Sequence, residues 1–309
     1  MITEKTNCLL CGADDAEIVA SGPDYDCETT TEVFHIRRCR QCAHTYLNPR
    51  PTVECASEIY PSDYYTLDAS HQPDGFSIMG RMKDLVVRGR LRAFLRGVPQ
   101  GGTVVDLGCG DGALLLAMRR ERPDTRLMGV DFAVSAPQRK KMEDAGISVI
   151  ESPLETAPLP DNVSLVIMNQ VIEHLWDVDA CMEKVRACLR PGGMFSVCTP
   201  NTAGYDRPWF HDGAWGGYYF PRHLNLFSQD GLSRYMERFG MRVKERNSLL
   251  APLIWMSTAR ALQIRRRWPR WMRLKDGNVA FLVMFTLIDM VAMLLGKTSS
   301  NQQVVAVKK

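Results

Sequence analysis

Cys8-Leu-Leu-Cys11 and Cys39-Arg-Gln-Cys42 set four thiols in two CxxC pairs, separated by a β-rich stretch. Paired thiolates at this spacing suit a tetrahedral Zn²⁺. Four protein ligands leave no open position, so the metal would be structural. A unit this small has little core of its own, and metal binding would supply much of its folding energy. A second constellation is Val105-Asp106-Leu107-Gly108-Cys109-Gly110-Asp111-Gly112. Glycines let the backbone turn tightly and approach a ligand. Asp106 stands at the strand end. A carboxylate there repels a pyrophosphate but orients an ammonium group, unlike the dinucleotide GxGxxG turn. Asp131 closes Gly129-Val130-Asp131, where a carboxylate can accept hydrogen bonds from ribose hydroxyls. Two histidines complete the inventory. His174 follows Glu173, and His223 lies in the run from Tyr218 to Ser228. A neutral imidazole can take a proton near pH 7. Either histidine could instead only tie its loop in place. Residues 205–220 are dense in aromatics and glycine. Trp215 and Tyr218 there could wall a substrate pocket, or pack a crossover loop.

These residues need elements to hold them. From Thr103 the chain alternates strand and helix patterns, which predicts a parallel sheet of βαβ units. TVVDL, RLMGVD, ISVI, VSLVIMN and MFSVCT read as strands, and MRVKERN and QQVVAVKK as late strands. GALLLAMRR, VSAPQRKKMEDAG and SQDGLSRYMERFG read as helices. Ser228 is the expected N-cap of the last of these, and Gly240 its stop. Residues 1–50 are expected to form the zinc ribbon. Residues 51–100 form a connector with a helix near Met79–Leu95, and residues 101–309 an α/β domain with a helical insertion at about 249–296.

The run VVDLGCGDG, the GVD strand end, NQVIEHL, LRPGG and CTPN resemble, in order, the landmarks of class I S-adenosylmethionine-dependent methyltransferases. The resemblance covers most of residues 100–248 and the last strand. It implies a Rossmann-like sheet of order 3-2-1-4-5-7-6 with strand seven antiparallel. It also implies that S-adenosylmethionine is bound by Asp106, Gly108, Cys109, Gly110, Gly112 and Asp131, with Phe132, Leu154, Asn169 and Gln170 nearby. Related enzymes often carry an adenine-binding acid after strand three. Here Pro153 stands near that place, so the contact would fall to the backbone of Leu154 or to Glu155. A ribbon ahead of this domain is similar to bacterial enzymes that methylate sugars and other small metabolites. In a zinc-ribbon subgroup the histidine equivalent to His223 lies beside the substrate pocket. No Pro-Pro-aromatic sequence follows Asn169, which argues against a DNA adenine substrate.

The chain has 309 residues, a formal charge of +3 and ten cysteines. That charge is too small to argue for nucleic acid, and the CxxC pairing suits a reducing compartment. The N-terminus MITEKTNCLLCG lacks an apolar signal, so the expectation is a cytoplasmic protein. Arg265-Arg266-Arg267-Trp268-Pro269-Arg270-Trp271 precedes an apolar run from Val279 to Leu295 broken by Thr286 and Asp289. Arginine and tryptophan beside an apolar helix are a membrane-interface composition. The 265–295 segment is expected to be an in-plane anchor at the inner membrane face, a lid over a lipid-like substrate, or a buried helix. The leading function is methylation of a small molecule or glycan, such as a nucleotide- or lipid-linked sugar. The alternatives are a zinc-ribbon RNA methyltransferase and a non-catalytic zinc and S-adenosylmethionine module.

Overall fold

The computed structural model describes residues 1–60, 91, 94–210, 212–274 and 278–309. The helix expected near Met79–Leu95 lies mostly outside the described residues. The N-terminal region carries β1 (Thr3–Glu4), β2 (Ala16–Gly22), β3 (Phe34–Cys39), β4 (Thr45–Leu47) and β5 (Arg50–Pro51). Then follow β6 (Thr103–Leu107), β7 (Arg126–Asp131), β8 (Ser148–Glu151), β9 (Val163–Asn169) and β10 (Leu189–Pro200). The chain continues through β11 (Asn225–Leu226), β12 (Met241–Leu249) and β13 (Asn301–Lys308). The principal helices are α1 (Ala113–Glu121), α2 (Ala136–Asp144), α3 (Val178–Cys188), α4 (Gln229–Arg238), α5 (Pro252–Arg265) and α6 (Val279–Leu294).

The large sheet has the order β12-β13-β10-β9-β6-β7-β8, with β13 antiparallel to both neighbours. Counting its strands from β6, this is the expected 3-2-1-4-5-7-6 read from the opposite edge. The strands are apolar because helices cover both faces. Val105, Leu107, Val166 and Met168 pack with residues of α3 and α4, such as Met182 and Tyr235. The alternating neighbours Val104, Leu165 and Ile167 pack with Leu115 and Met118 of α1 and Met142 of α2. Ser135 and Gln138 form a capping box at α2, and the Ser228 side chain accepts the Gly231 N–H at α4.

The ribbon is braced by the larger domain. Its sheet has the order β11-β4-β3-β2, so Asn225 and Leu226 supply its edge strand. Arg238 donates to the Leu9 carbonyl (3.0 Å) and Arg234 to that of Cys42 (3.3 Å), tying both cysteine turns to α4.

The insertion holds α5 and α6. On α6 only Phe285, Asp289 and Ala292 are buried. Of the three readings of this segment the buried helix is therefore set aside: most of this apolar helix faces outward. Asp289 is its anchor and no mere interruption. Its carboxylate accepts from the Ala251 N–H (2.7 Å), Trp255 Nε1 (2.9 Å) and the Tyr205 hydroxyl (3.0 Å). Trp255 also stacks on Phe285. Among the described residues no helix is long and apolar enough to cross a membrane.

Candidate active site and metal centre

The first end of the site grows from the C-terminal edge of β6. Gly108, Gly110 and Gly112 all have positive φ, at 78°, 52° and 73°. At Gly108 space also forbids a side chain, since a Cβ would stand 2.3 Å from Val171 Cγ2. The Gly110 N–H donates to Asp131 Oδ2 (2.8 Å), so the acid ending β7 pins the turn. Asp106 is buried at the strand end, and its Oδ1 has no hydrogen-bond partner. Burial, reinforced by Asp131, pushes its carboxyl up to about 8. A buried carboxylate oxygen without a donor fits a cationic ammonium ligand, and the open space beside Gly110 leaves room for one. The residues present therefore fit the methionine end of S-adenosylmethionine.

The second end gathers side chains from several segments. Glu173 follows β9 and is fully buried; Thr199 Oγ1 donates to its Oε2 (2.9 Å), and its Oε1 is unpartnered. His223 Nε2 lies 3.9 Å from that Oε1. The His174 and His223 rings meet edge-on with centroids 4.7 Å apart. His223 Nδ1 is 2.8 Å from the Gly217 carbonyl oxygen. His174 Nδ1 is 3.2 Å from the Arg222 carbonyl oxygen and 3.0 Å from the Tyr60 hydroxyl. Burial holds His223 down to about 4 and His174 well below its usual range, so both rings are neutral at pH 7. Burial also pushes the Glu173 carboxyl up to about 8. Beneath the histidines, Arg222 makes two bonds to Asp24 (3.0 and 2.9 Å), and neither side chain has exposed surface. Asp24 also accepts the N–H groups of Asp26, Cys27 and Thr29. A ribbon loop thereby fixes the histidine loop.

The cysteines form a separate centre. Cys8 and Cys42 sulfurs lie 3.4 Å apart, and Cys11 and Cys39 sulfurs 3.5 Å apart. All four are free and within 4.8 Å of one another. Disulfide sulfurs would be about 2.05 Å apart, whereas tetrahedral zinc holds thiolates roughly 3.8 Å apart. The donor set and spacing fit Zn²⁺, with Gly12 (φ 76°) and Ala43 (φ 62°) turning the two knuckles.

Other expected residues fall in different places. Phe132 is 60% exposed beside Asp131. Asn169 and Gln170 sit exposed at the end of β9, and Gln170 donates to Asn301 (3.1 Å). The Leu154 side chain packs into the core. Trp215 and Tyr218, expected as a pocket wall, are each 1% exposed and belong to the core under the ribbon. That expectation is corrected for this conformation: Trp215 Nε1 donates to Asp206 and Ser300, and Arg207 donates to the Tyr218 hydroxyl. Among the described residues of the stretch, Trp209 is an exposed large aromatic. Sequence reading missed Asp24, Arg222, Thr199 and Tyr60. Arg222 had one signal, its place beside His223; Asp24 had none.

The sheet order, the acid-led glycine turn and the acid ending β7 define the class I S-adenosylmethionine-dependent methyltransferase architecture. Residues 80–245, more than half of the 309, match the family model described as "Methyltransferase domain". The chain belongs to that family. It is 34% identical over 116 residues to a probable S-adenosylmethionine-dependent methyltransferase of Mycolicibacterium smegmatis, covering 35% of this chain and 43% of that one. It is 27% identical to the ubiquinone biosynthesis O-methyltransferase of Nitrobacter winogradskyi, over 48% of this chain and 60% of that one. The match thus spans under half of the mycobacterial relative's length. In fold the chain is similar to Haemonchus contortus phosphoethanolamine N-methyltransferase 2 in complex with S-adenosyl-L-methionine. The TM-score there is 0.54 at 15% identity, over 95% of this chain and 68% of that one.

Proposed function

We propose that this protein transfers a methyl group from S-adenosylmethionine to a small-molecule or glycan acceptor, with His223 as general base. The observation that carries the reading is the contact between the two ends of the site. Gly108 of the glycine turn packs on Val171, two residues before Glu173. A methyl donor on the turn and a nucleophile beside the histidines would share one cleft. S-adenosylmethionine supplies an electrophilic methyl on a sulfonium when bound, displaced in line. Asp106 orients its ammonium group and Asp131 its ribose. Exposed Phe132, the Leu154 backbone, Asn169 and Gln170 would complete its binding, the first two toward the adenine and the last two toward the methionine portion. His223 Nε2 takes the acceptor's proton, and Glu173, 3.9 Å from that nitrogen, stabilises the imidazolium as its own carboxyl ionises. His174 holds His223 edge-on. The ribbon of residues 1–50, carrying structural Zn²⁺, braces the domain of 101–309, and residues 51–100 link the two.

The acceptor is met at an anionic membrane surface on the cytoplasmic side. Val283, Leu287, Met290, Val291 and Leu294 of α6 are exposed, and Trp271 is 80% exposed. Arg266 and Arg267, which follow α5, are exposed as well. Sixteen residues span roughly 24 Å, short of the ~30 Å bilayer core, which suits a helix lying in the interface. An apolar face beside cations complements anionic lipid, and the same face disfavours the RNA alternative. The test is vesicle co-sedimentation with a radiolabelled-cofactor screen of acceptors. Binding to phosphatidylglycerol vesicles should fall when Leu287 and Val291 become serine, with cofactor affinity unchanged. Wild-type protein that ignores the vesicles but dimerises through α6 would overturn the membrane part. An RNA acceptor, or no acceptor methylated while His223→Ala matches wild type, would overturn the rest.

A further inference from the structure

Glu173, His174 and His223 each offer one donor atom, and the three lie within 4.8 Å of one another. Each histidine turns Nδ1 toward a backbone carbonyl, of Gly217 for His223 and of Arg222 for His174. A carbonyl only accepts, so the His223 proton sits on Nδ1 and its Nε2 keeps a lone pair, while His174 Nδ1 is shared between the Arg222 carbonyl and the Tyr60 hydroxyl. Metal-bound histidines are oriented in this way, by a carbonyl behind the ring. Glu173 adds a buried carboxylate oxygen with no donor, while Thr199 holds its other oxygen. His223 Nε2 and Glu173 Oε1 thus face each other at 3.9 Å with a His174 ring nitrogen in reach, and a cation among them would draw on all three.

We propose that Glu173, His174 and His223 bind a divalent transition-metal cation at the acceptor end of the site, distinct from the cysteine centre. Two imidazoles and one carboxylate select Mn²⁺, Fe²⁺, Co²⁺ or Zn²⁺ over the all-oxygen cations, and three ligands leave positions open. The proposal rests on the reading that the acceptor meets the histidines, and it narrows the acceptor to one that presents an oxygen. An acceptor hydroxyl on the cation loses its proton more readily. That proton leaves to bulk solvent. The oxygen then forms its bond to the methyl carbon as the carbon–sulfur bond breaks, and the sulfonium departs as a neutral thioether. With the cation bound, His223 Nε2 is a ligand and cannot also take the proton. The two roles of His223 therefore separate experimentally.

The full chain, with its cysteine centre loaded with zinc, is titrated with Co²⁺ and followed by visible spectroscopy and calorimetry. One further equivalent should bind, with d–d bands and no thiolate-to-cobalt charge-transfer band. His223→Ala and Glu173→Gln should weaken it at least about tenfold, while near-ultraviolet circular dichroism and retained zinc in the cysteine centre show that ribbon and domain remain folded in both variants. No second equivalent in folded wild type, or one that survives both substitutions, overturns the cation site. If it fails but His223→Ala still abolishes methyl transfer, the base reading stands. If cobalt binds as expected and no acceptor is methylated, the cation site stands and the functional reading falls.

Discussion

The two ends of the cleft are built in opposite ways. The cofactor end is one strand, one turn and one helix start, residues 103–113, closed by Asp131 from the next strand. It is made of backbone conformation. The proposed acceptor end draws on Asp24, Tyr60, Glu173, His174, Thr199, Arg222 and His223. It is made of side chains from distant segments, held by a fully buried ion pair. The first can form wherever its local sequence folds. The second exists only when ribbon and domain are both in place. The contrast teaches that the ribbon's buried ion pair reaches the histidine loop, through Asp24 and Arg222.

The strongest way to break that contrast is to unmake the ribbon. Zinc affinity in finger peptides is worth about 10–16 kcal/mol at pH 7, so chelation or Cys39→Ser should unfold the ribbon. Methyl transfer should vanish while S-adenosylhomocysteine binding, by calorimetry, persists. Equal loss of both would show that the ends are not independent. Asp24→Asn removes one partner of the buried pair and should cost about 3–5 kcal/mol. Denaturant unfolding measures it, and cofactor affinity should change less than turnover. Gly108→Ala probes the other end. A left-handed non-glycine residue costs roughly 1–2 kcal/mol, and the Val171 clash adds to it. Val171→Ala in the same chain should restore part of the loss, and a double-mutant cycle reads the coupling. No coupling would mean that the turn does not lean on Val171.

The smallest effect is a proton. Asp106 has its folded carboxyl raised to about 8. Between its unfolded value and about 8 the cofactor-free fold holds more protons than the unfolded chain. Its stability from this group therefore falls as pH rises across that window and levels off above it. An ammonium beside Asp106 favours the ionised form, so cofactor binding near pH 7 should release up to one proton. Affinity should rise with pH toward about 8. Calorimetry in buffers of different ionisation enthalpy counts the proton, and Asp106→Asn should abolish the release. A wild-type release of zero would remove Asp106 from contact with the ammonium.

Legibility in the sequence follows the same divide. Sheet order, helix caps and the glycine turn could be read because each is set by residues close in sequence. Asp24 and Arg222 stand 198 residues apart, and no local pattern links them. Trp215 and Tyr218 misled because aromatic density does not say which way a ring faces. Trp215 is drawn inward by Asp206, a buried acceptor for its indole N–H. Asp289 read as a flaw in an apolar helix because its three donors lie on other elements. The outward face of α6 could not be told from a buried one, since both are apolar.

The strand Asn225–Leu226 has a bearing on how the chain is made. Synthesis runs from the N-terminus, and domains ordinarily fold in that order. Here the ribbon sheet, begun at Ala16, waits for its outermost strand until residue 226 has left the ribosome. Until then β4 offers an open edge, the kind of surface on which other strands can pair. The cysteine cluster needs none of those later residues. Early metal capture would therefore hold the nascent ribbon closed through the longest interval of its assembly.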